Sequence, residues 1–134
     1  MISLDTNVIV RVVTADDPVQ LAMALKVLRS DGLWLSKTVL LETEWVLRYT
    51  YKLSRQMVLD TFVRLLGYRN LSMEAPDQVL SALDLYRGGM DFADALHLAA
   101  SAGADRFVTF DRELALGARR LEASPAVELL GGSL

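Results

Sequence analysis

Short apolar runs alternate with longer mixed stretches along the whole chain, and the alternation predicts strands separated by helices. Residues 2–4 are an apolar run that stops at Asp5, and Thr6-Asn7 beyond it are both competent helix caps ahead of a short helix over 8–13. Asp17 followed by Pro18 has the form of an N-cap and first helical position, opening a helix to about Arg29. Asp31-Gly32 is a turn, and residues 33–35 are a second buried strand. Ser36 starts a helix to about Tyr51; Ser54 caps the next, which Gly67 stops after about Leu66. Residues 70–74 predict a third strand, and Pro76 opens a helix to about Arg87. Gly88-Gly89 breaks the chain, Asp91 to about Ala102 is helical, and Gly103 closes that helix. Residues 106–110 read as a strand, 111–119 as a helix and 126–130 as a last strand.

Short apolar strands alternating with helices predict an α/β protein: a three-layer α/β/α sandwich around a short, mainly parallel central sheet. With 134 residues and no linker, repeat or low-complexity tract, the chain reads as one domain over 1–134. Ligands in such folds bind beyond the carboxyl ends of the strands, so acids at strand ends carry the most information.

Composition narrows the chemistry. There is no cysteine, which excludes disulfides, thiolate zinc sites and iron–sulfur clusters, and the single histidine excludes multi-histidine metal sites. No apolar run approaches the ~18 residues of a membrane span, and the N-terminus lacks a signal-peptide pattern, so a cytoplasmic location is expected. The hydrophobic fraction is 52% and the mean hydropathy +0.28, which implies apolar surface covered by a partner. The helices over 36–51 and 54–66 carry Leu40, Leu41, Leu47, Leu53, Val58, Phe62 and Leu65, more than one face of a small sheet absorbs; a homodimer is expected there.

Asp5 and Asp111 each directly follow a predicted strand, where the plain alternative is a helix cap. On a regular helix Glu42 shares a face with Thr38, Val39, Trp45, Val46 and Tyr49, a carboxylate on a greasy stripe that requires a cation. Glu44 falls on the other side with Lys37, Arg48 and Lys52 and reads as half of a solvated i,i+4 pair with Arg48. In the segment Asp91-Phe92-Ala93-Asp94-Ala95-Leu96-His97-Leu98-Ala99-Ala100, only Asp91, Asp94 and His97 interrupt an apolar helix. Asp91 is read as either an N-cap or a site acid. Asp94 falls a turn inside the helix, where aspartate is a poor helix former, and His97 is expected to be its partner or a satisfied core histidine.

Acids from four separated segments suggest a site for a hard divalent cation, magnesium or manganese, able to activate water against a phosphodiester. Setting aside Asp5, Glu42, Asp91, Asp94 and Asp111 leaves twelve acids against fourteen bases, so the net charge of −3 hides a body of +2, with eleven arginines to three lysines. That balance is compatible with recognition of a phosphate backbone.

Four stretches resemble the PIN-domain nucleases, and among them the VapC toxins of type II toxin–antitoxin pairs. They are Ile2-Ser3-Leu4-Asp5-Thr6-Asn7-Val8, Val39-Leu40-Leu41-Glu42-Thr43-Glu44-Trp45-Val46-Leu47-Arg48, the segment 91–100, and Phe107-Val108-Thr109-Phe110-Asp111. The resemblance implies that Asp5, Glu42, Asp94 and Asp111 bind magnesium or manganese, with Asp91 an additional acid. It implies that Thr6, Asn7 and Thr109 orient carboxylates or bound waters. It further implies endonucleolytic cleavage of RNA, a homodimer, and silencing by a cognate antitoxin that covers the groove. Two other readings compete. One is an α/β phosphotransfer or phosphatase domain with a strand-end Asp nucleophile, although no lysine follows a late strand; the other is a non-catalytic interaction module of the same form.

Overall fold

In the computed structural model, which describes all 134 residues, the chain divides into two compact units, Met1–Ala75 and Pro76–Leu134. The first unit holds three parallel strands, β1 (Ile2–Ser3), β2 (Leu33–Leu35) and β3 (Leu71–Met73), in the order β1-β2-β3. The register sets Leu33 opposite Ile2 on one side and Leu71 on the other, and Leu33 and Leu35 of the central strand are fully buried. Parallel neighbours need long crossovers, and helices supply them. Helices α1 (Thr6–Thr14) and α2 (Pro18–Leu28) join β1 to β2; α3 (Lys37–Trp45), a π-helical turn Val46–Thr50 and α4 (Arg55–Leu66) join β2 to β3.

Side chains start these helices where the sequence predicts. Asp17 accepts from the backbone N–H of Val19 and Gln20, Ser36 from Val39, and Ser54 from Met57. Helix α1 begins two residues before the predicted start, because Asp5 itself is the N-cap and accepts from the N–H of Thr6 at 2.8 Å.

Helix α3 overturns the predicted choice of face. Leu40, Thr43, Glu44 and Leu47 are buried, an i, i+3, i+4, i+7 stripe, whereas Thr38, Glu42, Trp45 and Tyr49 are exposed. Two apolar stripes compete on this helix, and the leucine side wins the core; the tryptophan and tyrosine, amphipathic at their tips, tolerate water. Glu44, read from sequence as solvated, is only 4% exposed and lies 3.5 Å from Arg48, a pairing that offsets its burial. Of the apolar residues expected in surplus on these helices, Leu40, Leu47, Val58 and Phe62 are buried within the chain, whereas Leu41, Leu53 and Leu65 are half-buried. Exposed apolar surface remains in this region at Trp45, Tyr49, Met57 and Val63, and is also present on α2, where Val19 is 70% and Met23 65% exposed.

The second unit consists of α5 (Pro76–Arg87), α6 (Phe92–Ala99), β4 (Arg106–Thr109), α7 (Arg112–Arg120) and β5 (Ala126–Leu129). Its core joins Val79, Ala82, Leu83 and Tyr86 of α5 to Phe92, Ala95 and Leu98 of α6, with the Tyr86 and Phe92 rings edge to face at 5.2 Å. Strands β4 and β5 are parallel, Arg106 opposite Ala126 through Thr109 opposite Leu129, with α7 as their crossover. The parallel α/β class expected from the pattern is therefore present, its strands divided between a three-stranded and a two-stranded sheet. Positions along β4 and β5 alternate between exposed and half-buried. No helix is long and apolar enough to cross a membrane.

Candidate functional site

The first unit brings two of the expected acids into one neighbourhood. Asp5 ends the first strand segment and caps α1 through Oδ1. Capping puts Thr6 in the first turn of α1, and the packing of α1 against α3 carries its hydroxyl to Glu42: Thr6 Oγ1 donates to Glu42 Oε1. Thr6 is buried while Glu42 is exposed, so a fixed hydroxyl holds one carboxylate oxygen of an otherwise solvent-facing acid. The role that the resemblance gives Thr6 thus has a direct contact behind it. Asn7 is exposed and points to no comparable contact.

The second unit groups the remaining acids. Asp91 is the N-cap of α6 and accepts from the N–H of Asp94 at 3.1 Å. Asp94 is consequently in the first turn, at the third helical position, not a full turn inside as the sequence suggested; an acid there is favoured by the helix dipole. Even so, burial pushes its carboxyl up, and the charges of Asp91, Asp111 and Glu113 push it the same way, with His97 opposing. His97 is exposed, so it is not the core histidine anticipated, and its effect on Asp94 is a charge acting through space. Asp111 caps α7 by accepting from the N–H of Leu114 at 3.1 Å, and its own N–H donates to Thr109 Oγ1 at 2.9 Å. Thr109 therefore fixes the backbone from which Asp111 projects.

Capping and site chemistry are not exclusive here. Each of Asp5, Asp91 and Asp111 engages its cap through Oδ1 and is exposed. Sequence reasoning missed Glu113, which shares an open cavity of about 480 Å³ with Asp91 and Asp94. Its signal was present, an acid two residues beyond Asp111, but an acid in the first turn of a helix is ordinary and drew no notice.

Within neither unit do three or more acidic or imidazole groups form a ready cation cage. The donor chemistry nonetheless fits a hard divalent cation: the candidate groups are carboxylates, four of the five expected acids are exposed, and Asp94 is crowded by like charge that a cation would relieve. The PIN domain family model matches residues 2–119, nearly nine-tenths of the chain and including Asp5, Glu42, Asp91, Asp94 and Asp111. The chain belongs to the PIN domain family. The PIN domain is a nuclease fold, generally dependent on divalent metal ions and acting on nucleic acid. No curated protein matches the chain.

Proposed function

We propose that this PIN domain is a magnesium-dependent endoribonuclease and the toxin of a toxin–antitoxin pair, with the chain 1–134 working as one nuclease domain. Asp5, Glu42, Asp94 and Asp111 are its metal-binding acids, and Asp91 a subsidiary one. The observation that carries the reading is the match to the PIN domain family over the segments that bear Asp5, Glu42, Asp94 and Asp111. In support, Asp94 shares an open cavity with Asp91 and Glu113, and burial with the charges of Asp91 and Asp111 pushes its carboxyl up, an arrangement that a cation would relieve. Magnesium or manganese, when bound, supplies a water of lowered pKa and charge stabilisation on the phosphodiester.

The residues of the chain have separable duties. Thr6 holds one oxygen of Glu42 and so presents the other toward a ligand. Asp5 and Asp111 stand at strand ends with their backbone anchored by the caps they make, which fixes where their second oxygens lie. Thr109, through the N–H of Asp111, positions that acid. Asn7 is assigned to orienting bound water.

Two partner readings go with this one. An antitoxin segment of apolar character fits a groove of about 580 Å³ lined by Val12, Leu53, Met57, Leu65 and Tyr68, and a homodimer finds exposed apolar surface at Trp45, Tyr49 and Val63 on the helices over 36–51 and 54–66. A cytoplasmic location is part of the same proposal. The deciding experiment incubates the purified chain, freed of any partner, with RNA in the presence and absence of magnesium and sequences the ends. Discrete cuts that require magnesium and vanish in Asp94→Asn are expected. Uncut RNA under both conditions would leave a non-catalytic module as the better account.

A further inference from the structure

We propose that Arg120 contacts the substrate, its guanidinium holding a phosphate of the RNA strand beside Asp91 and Asp94. The inference rests on the nuclease reading above. Helix α7 starts from Asp111, so Glu113 falls in its first turn and Arg120 at its last residue, and the open cavity of about 480 Å³ is lined by both. Asp91 and Asp94 line the same cavity, with Met90 and Leu114 as its apolar wall.

A guanidinium sharing a cavity with three carboxylates is expected to pair with one of them. Arg120 does not. Its Nη2 donates instead to the backbone carbonyl of Gly88 at 3.0 Å. The following residue, Gly89, has φ of +104°, a conformation that favours glycine and turns the chain so that the Gly88 carbonyl meets Arg120. The Gly88 carbonyl thus seats the guanidinium and steadies it without neutralising it. One donor is spent on the carbonyl and the rest of the planar fork is left, in a shape that matches phosphate oxygens.

The electrostatics give the arrangement a purpose. A cavity lined only by acids repels a nucleic-acid backbone, and a fixed cation at its edge supplies the attraction that lets the strand approach. Arginine at a helix C-terminus also has a purely structural use, favourable interaction with the dipole and a tether on the glycine turn. The two roles predict different measurements.

The test compares Arg120→Ala and Arg120→Lys in the full chain, using an unpaired RNA oligonucleotide. Cleavage is measured as kcat and KM, and binding as a function of salt in the Asp94→Asn background, where RNA stays intact. Arg120→Ala is expected to lower kcat/KM about tenfold, carried by KM, and to reduce the slope of log affinity against log salt by about 0.7, one phosphate contact on a single strand. Arg120→Lys is expected to restore the slope and only part of KM, since it keeps the charge and loses the fork. An Arg120→Ala protein with wild-type KM and slope overturns the contact. So does one that melts earlier with its slope unchanged, which is the signature of a tether alone. A wild-type chain that cuts no RNA overturns the nuclease reading and this contact with it; cutting by wild type with an indifferent Arg120 overturns the contact only.

Discussion

Glu42 in the first unit and Asp94 in the second are both helix-borne acids of the proposed site, yet their surroundings are opposite. Glu42 faces solvent and accepts a hydrogen bond from the buried, uncharged hydroxyl of Thr6. Asp94 is half-buried, its nearest cap partner is another acid, and its carboxyl is pushed up by burial, Asp91, Asp111 and Glu113. One acid is oriented by a neutral donor at little cost; the other is held against repulsion.

The sharpest way to break this comparison is to remove each charge. Asp94→Asn and Glu42→Gln should both lower cleavage by at least about a hundredfold, beyond the 10–100-fold typical of outer partners of a metal. Their stabilities should part: without metal, Asp94→Asn should melt higher than wild type because it removes a repelled charge, whereas Glu42→Gln should not. Thermal unfolding in chelator checks this, and a Glu42→Gln protein that gains as much as Asp94→Asn would erase the contrast.

Next in size is the effect of the hydroxyl. Thr6→Val keeps the shape and deletes the donor to Glu42, and should cost roughly 10–100-fold in activity with Thr6→Ser recovering most of it. Two residues from Glu42, Glu44 should behave in the reverse manner. Glu44→Ala should destabilise by about 2 kcal/mol in urea unfolding, because it strips a buried partner from Arg48, while activity per folded molecule stays at the wild-type level.

The smallest expected effect is in pH dependence, where the two units differ in sign. In the first unit, Thr14 Oγ1 and Arg11 Nη1 both donate to Asp16 Oδ1, and Tyr51 donates to its other oxygen. The Thr14 hydrogen bond foremost, then Arg11, holds Asp16 below its usual range. Its contribution to stability is therefore complete above the unfolded value of about 3.9 and is lost as pH falls through the lower folded value. Asp94, raised when folded, contributes oppositely: stability relative to the unfolded chain declines as pH rises from about 3.9 through its higher folded value. Unfolding curves from pH 2 to 7 should lose acid sensitivity in Asp16→Asn and gain it in Asp94→Asn. The same direction in both variants would contradict the assignment.

Much of the fold was legible in the chain because its signals are local. Pro18 after Asp17, Ser36, Ser54 and Pro76 mark helix starts by chemistry that acts within three or four residues, and α2, α3, α4 and α5 all begin at those points. The candidate acids at strand ends were legible for the same reason, since a carboxylate directly after an apolar run stands out. Where two local readings were equally available, the chain was silent. Asp91 as N-cap moved Asp94 from the interior of a helix to its first turn, and only the backbone shows that α6 begins at Phe92.

Sequence alone determined the α/β alternation and the starts of α2, α3, α4 and α5, and it singled out the candidate acids, because each depends on neighbours along the chain. Tertiary structure decided which side of α3 faces the core. Leu40 and Leu47 on one side and Trp45 and Tyr49 on the other offer comparable apolar area, and nothing within the helix ranks them. Packing ranked them, burying Glu44 with Arg48 and leaving Glu42 in solvent under the Thr6 hydroxyl. Tertiary structure likewise placed Arg120 and Glu113 in the cavity of Asp91 and Asp94, residues about twenty or more positions apart that no periodicity connects.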